Sequence, residues 1–197
     1  MHRHRKKFDP ERVAYLESEE RRAILDPDEV LGHFEIGKGW TVLDVGCGPG
    51  VFSFPLAEMV GPSGRVYAID TEPLMLKRLE ERIAERRVAN VVPLQSTEDS
   101  VPLPDSKADF ALMSTVIHEL EGSGTLREVG RVLKESGTLA VVDWKKVWET
   151  VGPPKWIRLD EDQAAEILRE AGFEPGPPMS VGRSHYGFAA RKPHSTK

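Results

Sequence analysis

The chain has a single cysteine, Cys47, among its 197 residues, so it can form neither an internal disulfide nor a thiolate metal cluster. No apolar run approaches the about 20 residues of a membrane span. No signal-peptide core follows the start either, and the expectation is a cytoplasmic protein with no membrane partner. Basic charge is also in short supply. Against 32 Asp and Glu there are 27 Lys and Arg, a formal net charge of -5, which argues against the broad positive field that dominates nucleic-acid binding. The exception is His2-Arg3-His4-Arg5-Lys6-Lys7, read as a solvated tail or as a small contact for an anion. Internal repeats and long linkers are missing too. Hydrophobic residues at 39% and charged residues at 30% exclude a wholly disordered chain. The length suits one α/β domain and is tight for two.

What is present begins with two helix starts of one design. Asp9-Pro10-Glu11 and Asp26-Pro27-Asp28 each place a capping carboxylate before a proline suited to the first helical position. The predicted helices run over 10–24 and 27–34 and close at Gly37 and Gly39. From residue 40 strands and helices alternate. Strands are predicted at 41–45, 65–70, 91–94, 109–113 and 138–143, with helices at 51–60, 73–88 and 122–134. Asp160 caps a further helix that ends at Ala171-Gly172-Phe173, and residues 179–191 suit an edge hairpin strand. Repeated β-α-β units imply a doubly wound sheet that binds ligands at the carboxyl ends of its strands.

Asp44-Val45-Gly46-Cys47-Gly48-Pro49-Gly50 follows the first strand and opens a helix. Glycines there permit a sharp turn and close approach of a ligand to the backbone. Asp70 ends the second strand, 20 residues beyond Gly50, where a carboxylate accepts from the ribose hydroxyls of a nucleoside. A dinucleotide site would be expected to show G-x-G-x-x-G before a helix N-terminus open to pyrophosphate. Here the glycines fall at 46, 48 and 50. Asp44 would oppose a pyrophosphate but suits an ammonium group. The spacing therefore favours S-adenosylmethionine over a nicotinamide cofactor.

Residues 42–50 resemble motif I of the class I S-adenosylmethionine-dependent methyltransferases, and more narrowly the small-molecule branch that includes ubiquinone and menaquinone biosynthesis enzymes. The resemblance covers about residues 38–145 and touches Gly187-Phe188-Ala189-Ala190-Arg191-Lys192, similar to the family's last antiparallel strand. It implies a Rossmann-like, seven-stranded sheet of order 3-2-1-4-5-7-6, with residues 1–39 as a helical cap on a cofactor-binding domain over 40–197, one structural domain overall. Gly46, Cys47 and Gly48 would contact the methionine portion of S-adenosylmethionine. Asp70 would hold the ribose, with Thr71 and Leu74 beside the adenosine. The loop after the third strand would hold the adenine edge, where the family often has an aspartate. Thr97 occupies that position and leaves Thr97, Glu98 and Asp99 as alternatives. Met113-Ser114-Thr115 matches the strand end that faces the cofactor's amino group.

Other residues carry paired readings. His118, in Val116-Ile117-His118-Glu119-Leu120, is either a general base for the acceptor or a packing histidine paired with Glu119. Cys47 lies within the glycine loop rather than on a substrate-facing strand end, which argues against a nucleophile. Trp144 and Trp148, after the fifth strand, line an acceptor pocket or simply pack a loop. Phe8 and Tyr15 belong to a segment that in relatives folds over the cofactor as a lid, and Phe8 is predicted to cover the active site. An Asn/Asp-Pro-Pro-Tyr/Phe motif is absent after the fourth strand, and one cysteine cannot serve arsenite methylation. Both absences point to a small-molecule acceptor or a protein side chain. The alternatives are an NAD(P)-dependent oxidoreductase and a non-catalytic S-adenosylmethionine-binding module.

Overall fold

The computed structural model describes residues 13–192. Three short helices come first: α1 (Val13–Leu16), α2 (Glu19–Ile24) and α3 (Pro27–Leu31). The single helix expected over 10–24 is broken because Ser18 competes with it. Its Oγ donates to the Tyr15 carbonyl at 2.7 Å and accepts from the Arg21 N–H at 3.2 Å, so one turn ends and the next begins at the same side chain. Asp26 caps α3 as predicted, accepting from the Asp28 N–H at 2.8 Å, with Pro27 in the first turn.

The sheet is built from β1 (Thr41–Val45), β2 (Arg65–Asp70), β3 (Val91–Gln95), β4 (Ala108–Ser114), β5 (Leu133–Trp144), β6 (Glu174–Pro175), β7 (Met179–Val181) and β8 (His185–Arg191). Between them run α4 (Ser53–Val60), α5 (Pro73–Arg86), α6 (Gly124–Val132) and α7 (Glu161–Glu170). Strand order is β3-β2-β1-β4-β5-β8-β6, with β7 paired to the free part of β8. The first five strands are parallel, and β8 runs antiparallel to β5. This is the anticipated order with β8 in the seventh place. The described sheet has eight strands rather than seven because the predicted tail strand is a hairpin that turns at Gly182, with φ of 54°.

The central strands are apolar on both faces because helices cover both. Leu43, Val45, Ala111 and Met113 pack into one buried cluster, and Val42, Ala68, Phe110 and Leu112 into the other. Leu25, Val30, Leu31 and Phe34 from the N-terminal helices join the second cluster. β5 starts five residues earlier than its apolar run, since Leu133 pairs with Ala108 before a register shift brings Thr138 opposite Phe110. The two-residue β6 carries no strand signal, and its Pro175 suits an edge position. α5 stops at Arg86 because Arg87 takes a left-handed conformation, with φ of 54°, and its N–H bonds back to the helix.

Candidate active site

The carboxyl ends of β1, β2, β4 and β5 point the same way, as parallel pairing requires, and a cavity opens above the first three. Its floor is the turn from β1 into α4. Gly46 and Gly50 have φ of 65° and 87°, a region that disfavours side chains. A Cβ on Gly46 would sit 2.5 Å from Val116 Cγ2, and one on Gly50 2.5 Å from Leu79 Cδ1. The turn is thus pressed between β4's following loop on one side and α5 on the other.

Asp70, at the tip of β2, ties this turn to its neighbour. One carboxylate oxygen accepts from the Gly48 N–H at 2.9 Å and the other from the Glu72 N–H at 2.9 Å. Burial raises its pKa above the ordinary aspartate value, opposed by those backbone donors. Gly46, Cys47, Gly48, Asp70, Thr71, Thr97, Glu98 and Ser114 all lie on the cavity wall. Of the three candidates for the adenine edge, Thr97 and Glu98 reach the wall, whereas Asp99 abuts the start of α6 at Gly124. Ser114 Oγ is buried without a hydrogen-bond partner. Beside it Thr115, a β-branched residue, has φ of 57°, held there by its N–H to the Val142 carbonyl at 2.7 Å. Backbone strain of this kind gathers at ligand sites.

Other predicted site residues stand away from the wall. Asp44 lies beneath the turn, where it accepts from Ser53 Oγ at 2.6 Å. Burial pushes its pKa up to about 7. Its side chain does not line the cavity. Leu74 faces outward and is 46% exposed, because Glu72 caps α5 and turns Met75 rather than Leu74 toward the cavity. Trp144 is buried and shares stacking contacts with His185, at 4.1 Å between ring centroids, Arg21 and Arg158. Trp148 is 80% exposed and lies off the wall. Phe8 lies outside the described residues, as does the basic stretch 2–7.

His118 is buried in a 3-10 turn, Ile117–Glu119, behind the wall. Its Nδ1 lies 2.8 Å and 2.9 Å from the two oxygens of Asp143, and its Nε2 is 3.8 Å from Glu119 Oε1. Asp143 also accepts from the Trp144 N–H at 2.6 Å. The carboxylate beside Nδ1 assigns the proton to that nitrogen. Glu119, not His118, reaches the cavity. The Cys47 thiol is buried and donates to the Gly48 carbonyl at 3.5 Å, and burial raises its pKa well above the ordinary value. That environment opposes thiolate chemistry.

Sequence reasoning expected a cap from the N-terminal segment but not the residues that line and fasten it. Leu16, Arg21, Arg22 and Leu25 from the N-terminal helices line the cavity, as do Leu120 and Thr125. Glu17 fastens this roof to α5, with ion pairs at 3.1 Å to both Arg78 and Arg82, and Arg82 Nη1 donates to the Pro49 carbonyl at 2.6 Å. In sequence these residues read as a charged helix surface, and only their placement over the cavity distinguishes them.

A family model described as a methyltransferase domain matches residues 36–172. Among solved structures, an S-adenosylmethionine-dependent methyltransferase from Aquifex aeolicus superposes with a TM-score of 0.91 at 38% identity, covering 95% of this chain and 100% of that one. This chain belongs to the S-adenosylmethionine-dependent methyltransferases. The demethylmenaquinone methyltransferase of Listeria monocytogenes serotype 4a (strain HCC23) is 33% identical over 199 residues, 83% of this chain and 84% of that protein. That of Geobacillus sp. (strain WCH70) is 32% identical over 124 residues, 62% of this chain and 53% of the Geobacillus protein. The likeness places the chain in the quinone-biosynthesis-like branch of class I methyltransferases, with S-adenosylmethionine as cofactor. The cavity fits that cofactor. An acidic strand end meets a glycine-rich backbone turn, and Ser114, whose buried hydroxyl has no hydrogen-bond partner, belongs to the same wall. No described helix is long and apolar enough to cross a membrane.

Proposed function

We propose that this methyltransferase acts on a small aromatic acceptor of the quinol type, the class named for its demethylmenaquinone-methylating relatives. The observation that carries the reading is the apolar share of the cavity lining on the side of the N-terminal helices and the β4 loop. Leu16, Leu25, Val116 and Leu120 line that side beside Arg21 and Arg22, and apolar walls with a few polar groups suit a flat, largely hydrophobic ligand. Bound S-adenosylmethionine supplies a methyl group made electrophilic by its sulfonium.

The protein's own work is binding, alignment and exclusion of water, which can account for about 7–11 kcal/mol of a barrier. Asp70 holds the ribose hydroxyls at one end. The Gly46–Gly48 turn cradles the methionine portion, and Thr97 or Glu98 meets the adenine edge. The roof of α1 and α2 covers the reacting centre. Glu119 stands on the wall with His118 and Asp143 behind it, an arrangement able to take a proton from an acceptor hydroxyl.

Incubation of the protein with methyl-labelled cofactor and a reduced, tail-free naphthoquinol tests the reading. Label recovered in the naphthoquinol by mass spectrometry is expected. Label recovered instead in a different compound class from a fractionated extract would replace the quinol assignment and keep the methyltransferase.

A further inference from the structure

The cavity wall carries a largely buried cation that forms no ion pair among the described residues. Arg21, on α2, is 7% exposed, lines the cavity, and has an Nη1 with no hydrogen-bond partner. Among the described residues no carboxylate lies within ion-pair reach of its guanidinium. Arg22, its neighbour, contrasts with it, since that side chain meets Asp28 at 3.1 Å and Asp26 at 3.7 Å. Asp143 is near enough to act on Arg21 through space, but its oxygens are engaged by His118 and the Trp144 N–H. A buried, unpaired charge is costly and is kept where a ligand completes it.

The position of Arg21 says which ligand. Its guanidinium lies over the Trp144 ring, 5.2 Å from the centroid, at the carboxyl end of β5. Asp70 marks the nucleoside end on β2, and β1 and β4 lie between. Three strand spacings of about 4.8 Å separate the two markers. The glycine turn on β1 and Ser114 on β4 account for the space between them. Arg21 thus stands on the acceptor side of the cavity, with apolar Leu25, Val116 and Leu120 also on the wall.

We propose that Arg21 forms an oxyanion subsite that selects acceptors carrying an ionised oxygen on an otherwise apolar ring. Arg21 is a specificity residue here, binding the acceptor's oxygen through its guanidinium, and a hydroxyl's proton leaves by way of Glu119 to solvent as the anion binds. Both a ring hydroxyl and a ring carboxyl present this chemistry. The inference rests on the methyltransferase reading and narrows its acceptor.

Full-length protein saturated with S-adenosylhomocysteine is titrated with 2-naphthol, 2-naphthoate and 2-methoxynaphthalene, and the naphtholate fraction is followed by its absorbance. The protein should raise that fraction about tenfold at fixed pH, one unit of pKa, or bind 2-naphthoate about tenfold more tightly than the methoxy compound. The first result assigns hydroxyl-bearing acceptors, the second carboxyl-bearing ones. Arg21→Gln should erase the preference and Arg21→Lys restore part of it, with S-adenosylhomocysteine affinity changed less than about twofold. Equal binding of all three probes, binding of none, or a preference that survives Arg21→Gln overturns the proposal. So does a loss of S-adenosylhomocysteine affinity approaching tenfold, because the guanidinium would then serve the cofactor. Should Arg21→Gln not fold, judged by its thermal transition, Arg21→Lys decides by the same absorbance readout. A wild-type protein that fails to bind S-adenosylhomocysteine at all would instead remove the methyltransferase reading beneath it.

Discussion

Asp70 is asked to do two things with one carboxylate. It accepts two backbone N–H bonds that hold the β1 turn against the β2 tip, and it faces a cavity where the ribose hydroxyls would bind. Hydrogen bonds to a charged group contribute about 1.5–3 kcal/mol. Asp70→Ala is therefore expected to weaken S-adenosylmethionine binding roughly 10- to 100-fold by calorimetry, and also to lower the thermal transition, since the Gly48 and Glu72 N–H groups lose their acceptor. Asp70→Asn keeps an oxygen for one of them and should lose affinity with a smaller loss of stability. Equal affinity in all three proteins would remove Asp70 from the site. This residue was legible in sequence because an acid ending a strand at a fixed distance from a glycine turn is a local pattern. That Leu74 stands off the cavity wall and Met75 on it was not readable, because the cap formed by Glu72 sets which face of α5 turns inward. Arg21 was invisible, for nothing in Glu19-Glu20-Arg21-Arg22 separates a cavity cation from a solvated one.

At the level of elements, the parallel strands were readable because each is a short apolar run bounded by turns, and their order followed from resemblance. The N-terminal helices were readable as a cap, through the resemblance, but the contacts that hold them in place were not. Their position depends on Glu17, which meets Arg78 and Arg82 of α5, residues more than 60 positions away in sequence. Partly exposed ion pairs contribute at most about 1 kcal/mol, a modest tether beside the burial of Leu25 in the core. Glu17→Gln should speed amide exchange over residues 13–25 and weaken cofactor affinity by up to roughly fivefold, with the sheet's exchange unchanged. Faster exchange throughout the sheet would show that Glu17 supports the whole fold rather than the roof.

At the scale of the molecule, the site places a stability cost beneath itself. Asp44 is buried under the glycine turn, and desolvation pushes its pKa up to about 7 despite the Ser53 hydroxyl that stabilises its charged form. A folded-state pKa above the unfolded value of about 3.8 means the folded protein holds a proton that the unfolded chain releases. Stability from this group is then full below about pH 4 and is lost as pH rises through about 7, a change on the order of 4 kcal/mol. Glu128 acts in the opposite sense. Its bonds to Arg131 and the Val101 N–H hold its pKa down to about 2, so it contributes stability above the ordinary glutamate range and loses it in acid. The wild-type profile mixes the two, and Asp44→Asn separates them. Asparagine keeps an oxygen for Ser53 Oγ and cannot ionise. In urea denaturation the variant should gain on the wild type steadily from pH 4 to pH 8, with the gap levelling above about pH 7, while the acid limb set by Glu128 is common to both. Profiles that stay parallel across that range would mean that Asp44 titrates alike in the folded and unfolded chains, and that its burial under the turn carries no proton with it.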